Sequence, residues 1–185
     1  MVLVMSARED VLDALERVLI EEGERAATLE AVAARAEVSK GGLLYHFGSK
    51  RALVEGLAER MLDLAALDLE QMAAAPDGPS AYYVRSSVYE DSPFDRALVA
   101  GSRLSHGEDA PVRAAFDRIR EDWLRLIRQE VGDDAIAEAI MLIGDGLYYN
   151  ALLDSTGHPD AARREQNLEA LLAVVARMRE RAGTD

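Results

Sequence analysis

The side chains able to do chemistry fall in one short window and form no catalytic set. The three histidines, His46, His106 and His158, make no H-x-x-x-H or H-E-x-x-H pair for a metal. There is no cysteine, so disulfides, thiolate metal sites and a cysteine nucleophile are excluded. Neither a G-x-S-x-G elbow, a P-loop nor a dinucleotide fingerprint occurs. No enzyme activity, metal or cofactor is expected. The formal net charge of −13 also argues against a nonspecific nucleic-acid binder, which needs a broad basic surface. Residues 28–51 break the acidic pattern: Arg35, Lys40, Lys50 and Arg51 stand against Glu30 and Glu37. The only two lysines of the chain, Lys40 and Lys50, lie here, with Tyr45 and His46 between them. Hydroxyl, imidazole and ammonium groups at this spacing can hydrogen-bond phosphates. Lys40 can reach phosphate or a guanine edge. Tyr45 can meet backbone or a thymine methyl, or pack in part on the first helix. His46 can contact phosphate, or be a buried histidine satisfied by backbone.

These groups need rigid elements beneath them, and the sequence supplies helices. Of 185 residues only 13 are Gly and 5 Pro, with 49% hydrophobic and 30% charged, a folded and helix-rich composition. Ser6 with Glu9 reads as a capping box. Val11, Leu12, Leu15, Val18 and Leu19 then form one apolar face that stops at Gly23. Thr28 caps a short second helix, Ala36-Glu37-Val38 breaks it, and Ser39 caps a third running from Lys40 to about Phe47. Two short helices joined by a tight turn are a helix-turn-helix, whose second helix fits a DNA major groove. Gly41 and Gly42 weaken that helix by about 1 kcal/mol each relative to Ala, a loss that close backbone approach to a duplex would justify. Ser49 caps a fourth helix, reaching about Ala75, whose first amides add an anion site beside Lys50.

The segment Thr28–Leu53 resembles the DNA-binding domain of the TetR family of one-component bacterial transcriptional regulators. The matching residues are Thr28, Val32-Ala33, Ala36, Val38-Ser39, Gly41, Leu43, His46-Phe47, Lys50 and Leu53. The resemblance implies a DNA interface of Thr28, Ser39, Lys40, Gly41, Gly42, Tyr45, His46 and Lys50. Three positions depart from the family pattern. Leu44 stands where members carry a phosphate-contacting Tyr, Gly42 where Thr or Ala is frequent, and Gly48 where Pro or a polar residue is common. The expected fold is all-α with about nine helices. Residues 1–52 form the helix-turn-helix domain, and residues 53–185 form a helical ligand-binding and dimerisation domain.

Beyond the fourth helix, Pro76-Asp77-Gly78-Pro79 breaks the chain. Helices are expected over Ser80 to about Glu90, Phe94 to about Ser105, and from a cap at Asp109 to Gly132. Two more run from Ile136 to near Thr156-Gly157 and onward from Pro159-Asp160. Two apolar stripes, one of Ile140, Ile143, Gly144 and Leu147 and one of Leu168, Leu171, Leu172, Val175 and Met178, suit a four-helix dimer bundle or the chain's own core. Residues expected around an effector are Met61, Tyr82, Tyr83, Phe94, Leu98, Phe116, Trp123, Tyr148 and Tyr149, with polar Arg103, His106 and Asp145. Asp145 alternatively pairs with an arginine. Acidic surroundings favour a neutral or cationic effector. The resemblance implies a repressor that binds a palindromic operator as a homodimer and is released by a small molecule. A helical sensor or adaptor with a vestigial DNA-binding module, acting through protein contacts, is the alternative. No signal peptide or membrane span is expected, and a cytoplasmic location follows.

Overall fold

Residues 7–104, 110–154 and 161–182 are described by a computed structural model. These residues form nine α-helices and no strand: α1 (Ala7–Glu22), α2 (Leu29–Arg35), α3 (Lys40–His46), α4 (Lys50–Ala73), α5 (Pro79–Ser86), α6 (Pro93–Ser102), α7 (Ala110–Val131), α8 (Asp134–Asp154) and α9 (Ala161–Ala182). One 3-10 turn, Glu24–Ala26, follows α1. The capping side chains explain where most of these helices begin. Thr28, Ser39 and Ser49 each accept the amide three residues on, from Ala31, Gly42 and Ala52 at 3.1, 3.0 and 3.0 Å. Ser92 and Asp95 form a reciprocal capping box for α6, and Asp133 accepts the Ile136 amide at 2.8 Å to start α8. The expected caps Ser6 and Asp109, the expected end at Thr156-Gly157 and the expected start at Pro159-Asp160 lie outside the described residues.

α5 and α6 are shorter than their apolar pattern predicts, ending at Ser86 and Ser102 instead of about Glu90 and Ser105. In α5 the cause is local. The Ser87 hydroxyl donates to the Tyr83 carbonyl at 2.7 Å, competing for the acceptor that the next helical turn requires.

The chain divides into two compact units, residues 1–65 with 91–118 and residues 66–90 with 119–185. This differs from a cut at residue 52 for two reasons. α6, distant in sequence, packs on α1, and α4 continues unbroken to Ala73. In the first unit α1 packs against α2, α3 and α6, burying Val11, Leu12, Leu15, Val18 and Leu19 from its own apolar face together with Val32 and Leu43. In the second unit α5, α8 and α9 pack on one another, around Met72, Tyr83, Val84, Leu124, Ile127, Ile140, Met141 and Val175.

Three residues expected at a dimer surface are interior to this second unit. Ile140 and Val175 are fully covered within their own chain. A Cβ on Gly144 would lie 2.4 Å from the Tyr83 ring, so the close approach this glycine allows is to α5. Ile143, Leu147, Leu168, Leu171, Leu172 and Met178 are half-buried. Among the described residues one helix segment, Asp134–Leu153 of α8, is long and apolar enough to cross a membrane by length and composition alone, a test that a core helix passes equally. Its apolar excess arises because two sides of the helix are hydrophobic. One enters the core through Ile140 and Met141, and the other leaves Leu142, Tyr149 and Leu153 exposed at 64%, 62% and 55%.

Candidate nucleic-acid interface

The α2–α3 turn is a Schellman motif. Val38 N donates to Ala33 O at 3.0 Å and Glu37 N to Ala34 O at 3.2 Å, which forces the residue between helix and turn into the left-handed region. That residue is Glu37, with φ 56°. A left-handed residue with a Cβ is strained by about 1–2 kcal/mol. Glu37→Gly therefore raises stability by about 1 kcal/mol after the added unfolded-state entropy of glycine. Chemical denaturation measures this as a higher midpoint at constant slope, and an unchanged midpoint would contradict it.

α3 is fixed at its base by two buried side chains, Leu43 and Phe47. The Phe47 ring lies against Gly56 of α4, where a Cβ would come within 2.5 Å of its Cε1. The Arg8 guanidinium of α1 sits 5.2 Å from the centre of the same ring. Arg8 and Gly56 carry no signal in the DNA-binding pattern, and only the folded chain brings them to this aromatic anchor.

Opposite this base every expected polar contact is accessible. Tyr45 is 86% exposed, and Thr28, Ser39, Lys40, Gly41 and His46 are exposed while Gly42 and Lys50 are half-buried. Tyr45 does not pack on α1, and His46 is not a core histidine. Their rings meet edge to face at 5.3 Å. Packing within the chain does not require glycine at 41, whereas a Cβ at 42 would press on the capping Ser39 hydroxyl. A Cβ at Gly41 would meet only Ser39 Oγ at 3.9 Å, and one at Gly42 only Ser39 Oγ at 3.3 Å and Val38 Cβ at 3.9 Å. Three of the four basic residues of this window have carboxylate partners. Arg35 reaches Glu21 and Glu22 at 2.7 and 2.8 Å, Lys40 reaches Glu30 at 2.6 Å, and Arg51 reaches Glu55 at 2.9 Å. Hydrogen bonding from Lys40 holds the Glu30 carboxyl below its ordinary range.

Behind the interface lies a charge cluster that the sequence pattern did not suggest. Glu16 of α1 is wholly buried and neither of its oxygens is hydrogen-bonded. Arg60 of α4 lies 3.4 Å from it while also reaching Asp13 at 2.6 Å and Glu9 at 3.7 Å. Burial pushes the Glu16 carboxyl up to about 7; Arg60 opposes this, Asp13 adds to it, Arg96 opposes it and Glu9 adds to it. One signal does exist in the sequence: Glu16 interrupts the apolar stripe between Leu12 and Leu19.

The residues expected around an effector fall into separate groups. Met61, Phe94, Leu98, Arg103 and Phe116 belong to the first unit and Tyr82, Tyr83, Trp123, Asp145, Tyr148 and Tyr149 to the second. Met61 is sealed in the core and packs beside Gly101 with Phe116, whereas Arg103 and Tyr149 face solvent. Phe94, Leu98, Phe116, Trp123 and Tyr148 are half-buried. His106 lies outside the described residues. In the second unit the polar groups are tied together. Asp68 accepts from the Tyr82 hydroxyl at 2.9 Å and the Trp123 indole at 2.7 Å, with its carboxyl raised by burial. Asp145 accepts from Tyr83 at 2.7 Å and from Arg120 at 2.7 Å, the arginine pairing left open by the sequence.

Comparison with known proteins agrees with this geometry. Residues 11–57 match the family described as bacterial regulatory proteins, tetR family, and residues 77–176 match the tetracyclin repressor-like C-terminal domain. The chain is 39% identical over 169 residues to the HTH-type transcriptional regulator BetI of Burkholderia thailandensis, covering 91% of this chain and 77% of that one. Its fold is similar to that of NalD from Pseudomonas aeruginosa, with a TM-score of 0.67 at 18% identity over 91% of this chain and 94% of that one. It is also similar to a transcriptional regulator from Rhodococcus sp. Rha1, with a TM-score of 0.66 at 20% identity over 93% and 97% of the two chains. Matches in both parts of the sequence, together with the helix-turn-helix built on Phe47, establish that this chain belongs to the TetR family of non-enzymatic, DNA-binding transcriptional regulators.

Proposed function

We propose that the chain is a repressor that binds a palindromic operator as a homodimer and is released by a small-molecule effector. The observation that carries the reading is the outer face of α3. Tyr45 is 86% exposed beside exposed His46 and Lys40, and the bare Gly41 has no packing reason in its own chain. Thr28, Ser39 and Lys50 add phosphate contacts, and the Tyr45 hydroxyl supplies the phosphate hydrogen bond that the Leu44 side chain has no polar group to make. Functionally, residues 1–52 read DNA and residues 53–185 carry effector binding and dimerisation. The exposed side of α8, Leu142, Tyr149 and Leu153, joins the half-buried Ile143, Leu147, Leu168, Leu171, Leu172 and Met178 as the partner surface. A twofold dimer spaces two recognition helices for half-sites about 34–36 Å apart. A neutral or cationic effector suits the carboxylates Asp68 and Asp145 among the rings of Tyr82, Tyr83 and Trp123 better than an anion. It acts by favouring a state whose recognition helices are spaced wrongly for the operator, with α4 as the lever. A cytoplasmic location fits this role.

Lys50→Ala tests the phosphate contacts. Binding weakens for every operator sequence alike, and the slope of log affinity against log salt falls by about 1. Fluorescence anisotropy titrations at several salt concentrations measure both quantities. An unchanged slope would remove Lys50 from the interface.

A further inference from the structure

Lys40, one of two lysines in the acidic chain, is engaged before any duplex arrives. Its ammonium lies 2.6 Å from Glu30 Oε1, and both side chains are exposed. Glu30 sits in the first turn of α2, two residues after the cap Thr28, while Lys40 opens α3 one residue after the cap Ser39. The pair therefore spans the two helices of the helix-turn-helix, on residues that flank proposed phosphate contacts. We propose that Glu30 competes with DNA for Lys40, holding the ammonium that a phosphate must take over and so lowering affinity for every duplex sequence. A phosphate that displaces Glu30 leaves a carboxylate beside the DNA backbone, and like charges repel at that range. The exchange penalises all sequences equally. Sequence-specific contacts from α3 then carry a larger share of the binding that remains. The inference rests on Lys40 meeting DNA.

The test uses the full chain and a labelled random-sequence duplex at about 0.1 M salt, where charges a few ångströms apart still interact. Glu30→Gln tightens binding about threefold to fivefold, the range an exposed ion pair can supply. Lys40→Ala weakens binding, and in that background Glu30→Gln loses most of its gain. Glu30→Asp keeps the charge at the start of α2 but shortens its reach to Lys40, so it also tightens binding, by less. Circular dichroism and the unfolding midpoint check that α2 is intact. If Lys40→Ala weakens binding while Glu30→Gln leaves it unchanged, the competition is refuted and the DNA contact stands. An equal gain with and without Lys40 also refutes it, because Glu30 then acts only through its general field. If Lys40→Ala has no effect, the DNA contact at Lys40 fails and the inference with it.

Discussion

Glu16→Gln stabilises the chain by about 2–3 kcal/mol at pH 8 and by much less at pH 5. The carboxyl is pushed up to about 7 in the folded chain by burial, against an ordinary value of 4.5. Between these values the folded state holds a proton that the unfolded state has lost, so stability declines as pH rises from below 4.5 toward 7 and is flat above. The burial penalty on the charged form is then fully present. Arg60 does not cancel it, because one guanidinium serves Asp13 at 2.6 Å before Glu16 at 3.4 Å. Glutamine keeps the shape and removes the charge. Other titrating groups, including Asp68 with its raised carboxyl and Glu30 and Asp77 with lowered ones, are common to both proteins and leave the difference untouched. The measurement is urea denaturation of both proteins from pH 5 to pH 8. Parallel stability curves for the two would contradict the assignment.

Gly144→Ala destabilises by about 2 kcal/mol, although alanine is the better helix former by about 1 kcal/mol. The added methyl would fall 2.4 Å from Tyr83 Cε1 and 2.7 Å from Ser87 Oγ. Neither neighbour has room to yield. Tyr83 is buried, its hydroxyl donates to Asp145 at 2.7 Å, and its ring tilts against Trp123 with centroids 5.4 Å apart. Ser87 is held by its bond to the Tyr83 carbonyl. The loss is traced to the ring by a double-mutant cycle on stability. In a Tyr83→Ala background the methyl enters vacated space and most of its penalty disappears. An equal penalty in both backgrounds would show that the clash lies elsewhere.

The DNA-binding half was legible because its rules are local. A hydroxyl followed by a helical run captures an amide three residues on, as Thr28, Ser39 and Ser49 do. The spacing of Val11, Leu12, Leu15, Val18 and Leu19 marks a face that the fold buries. What periodicity does not encode is which surface covers a stripe. Ile140 and Val175 lie on apolar faces as expected, yet their own chain covers them, while Leu142, Tyr149 and Leu153 stay exposed on α8. Gly144 could be read as permitting close approach, but its neighbour, Tyr83, is sixty-one residues away in sequence. The packing of α6 on α1 was equally invisible, since it joins segments separated by the whole of α2, α3, α4 and α5. At Glu37 the expected break is present, but its left-handed backbone gave no signal. Its side chain is unremarkable for an exposed turn, and only the backbone bonds around it impose the left-handed conformation.

The central claim is sequence-specific operator binding through α3. The most direct test is to incubate the purified full chain, at near-physiological salt, with a fragment library of the genome that encodes it, and to sequence what is retained. The expected result is enrichment of one short palindrome with half-sites about one helical turn apart, footprinted in a salt-sensitive way. A folded, effector-free dimer that enriches no sequence over random fragments would contradict it.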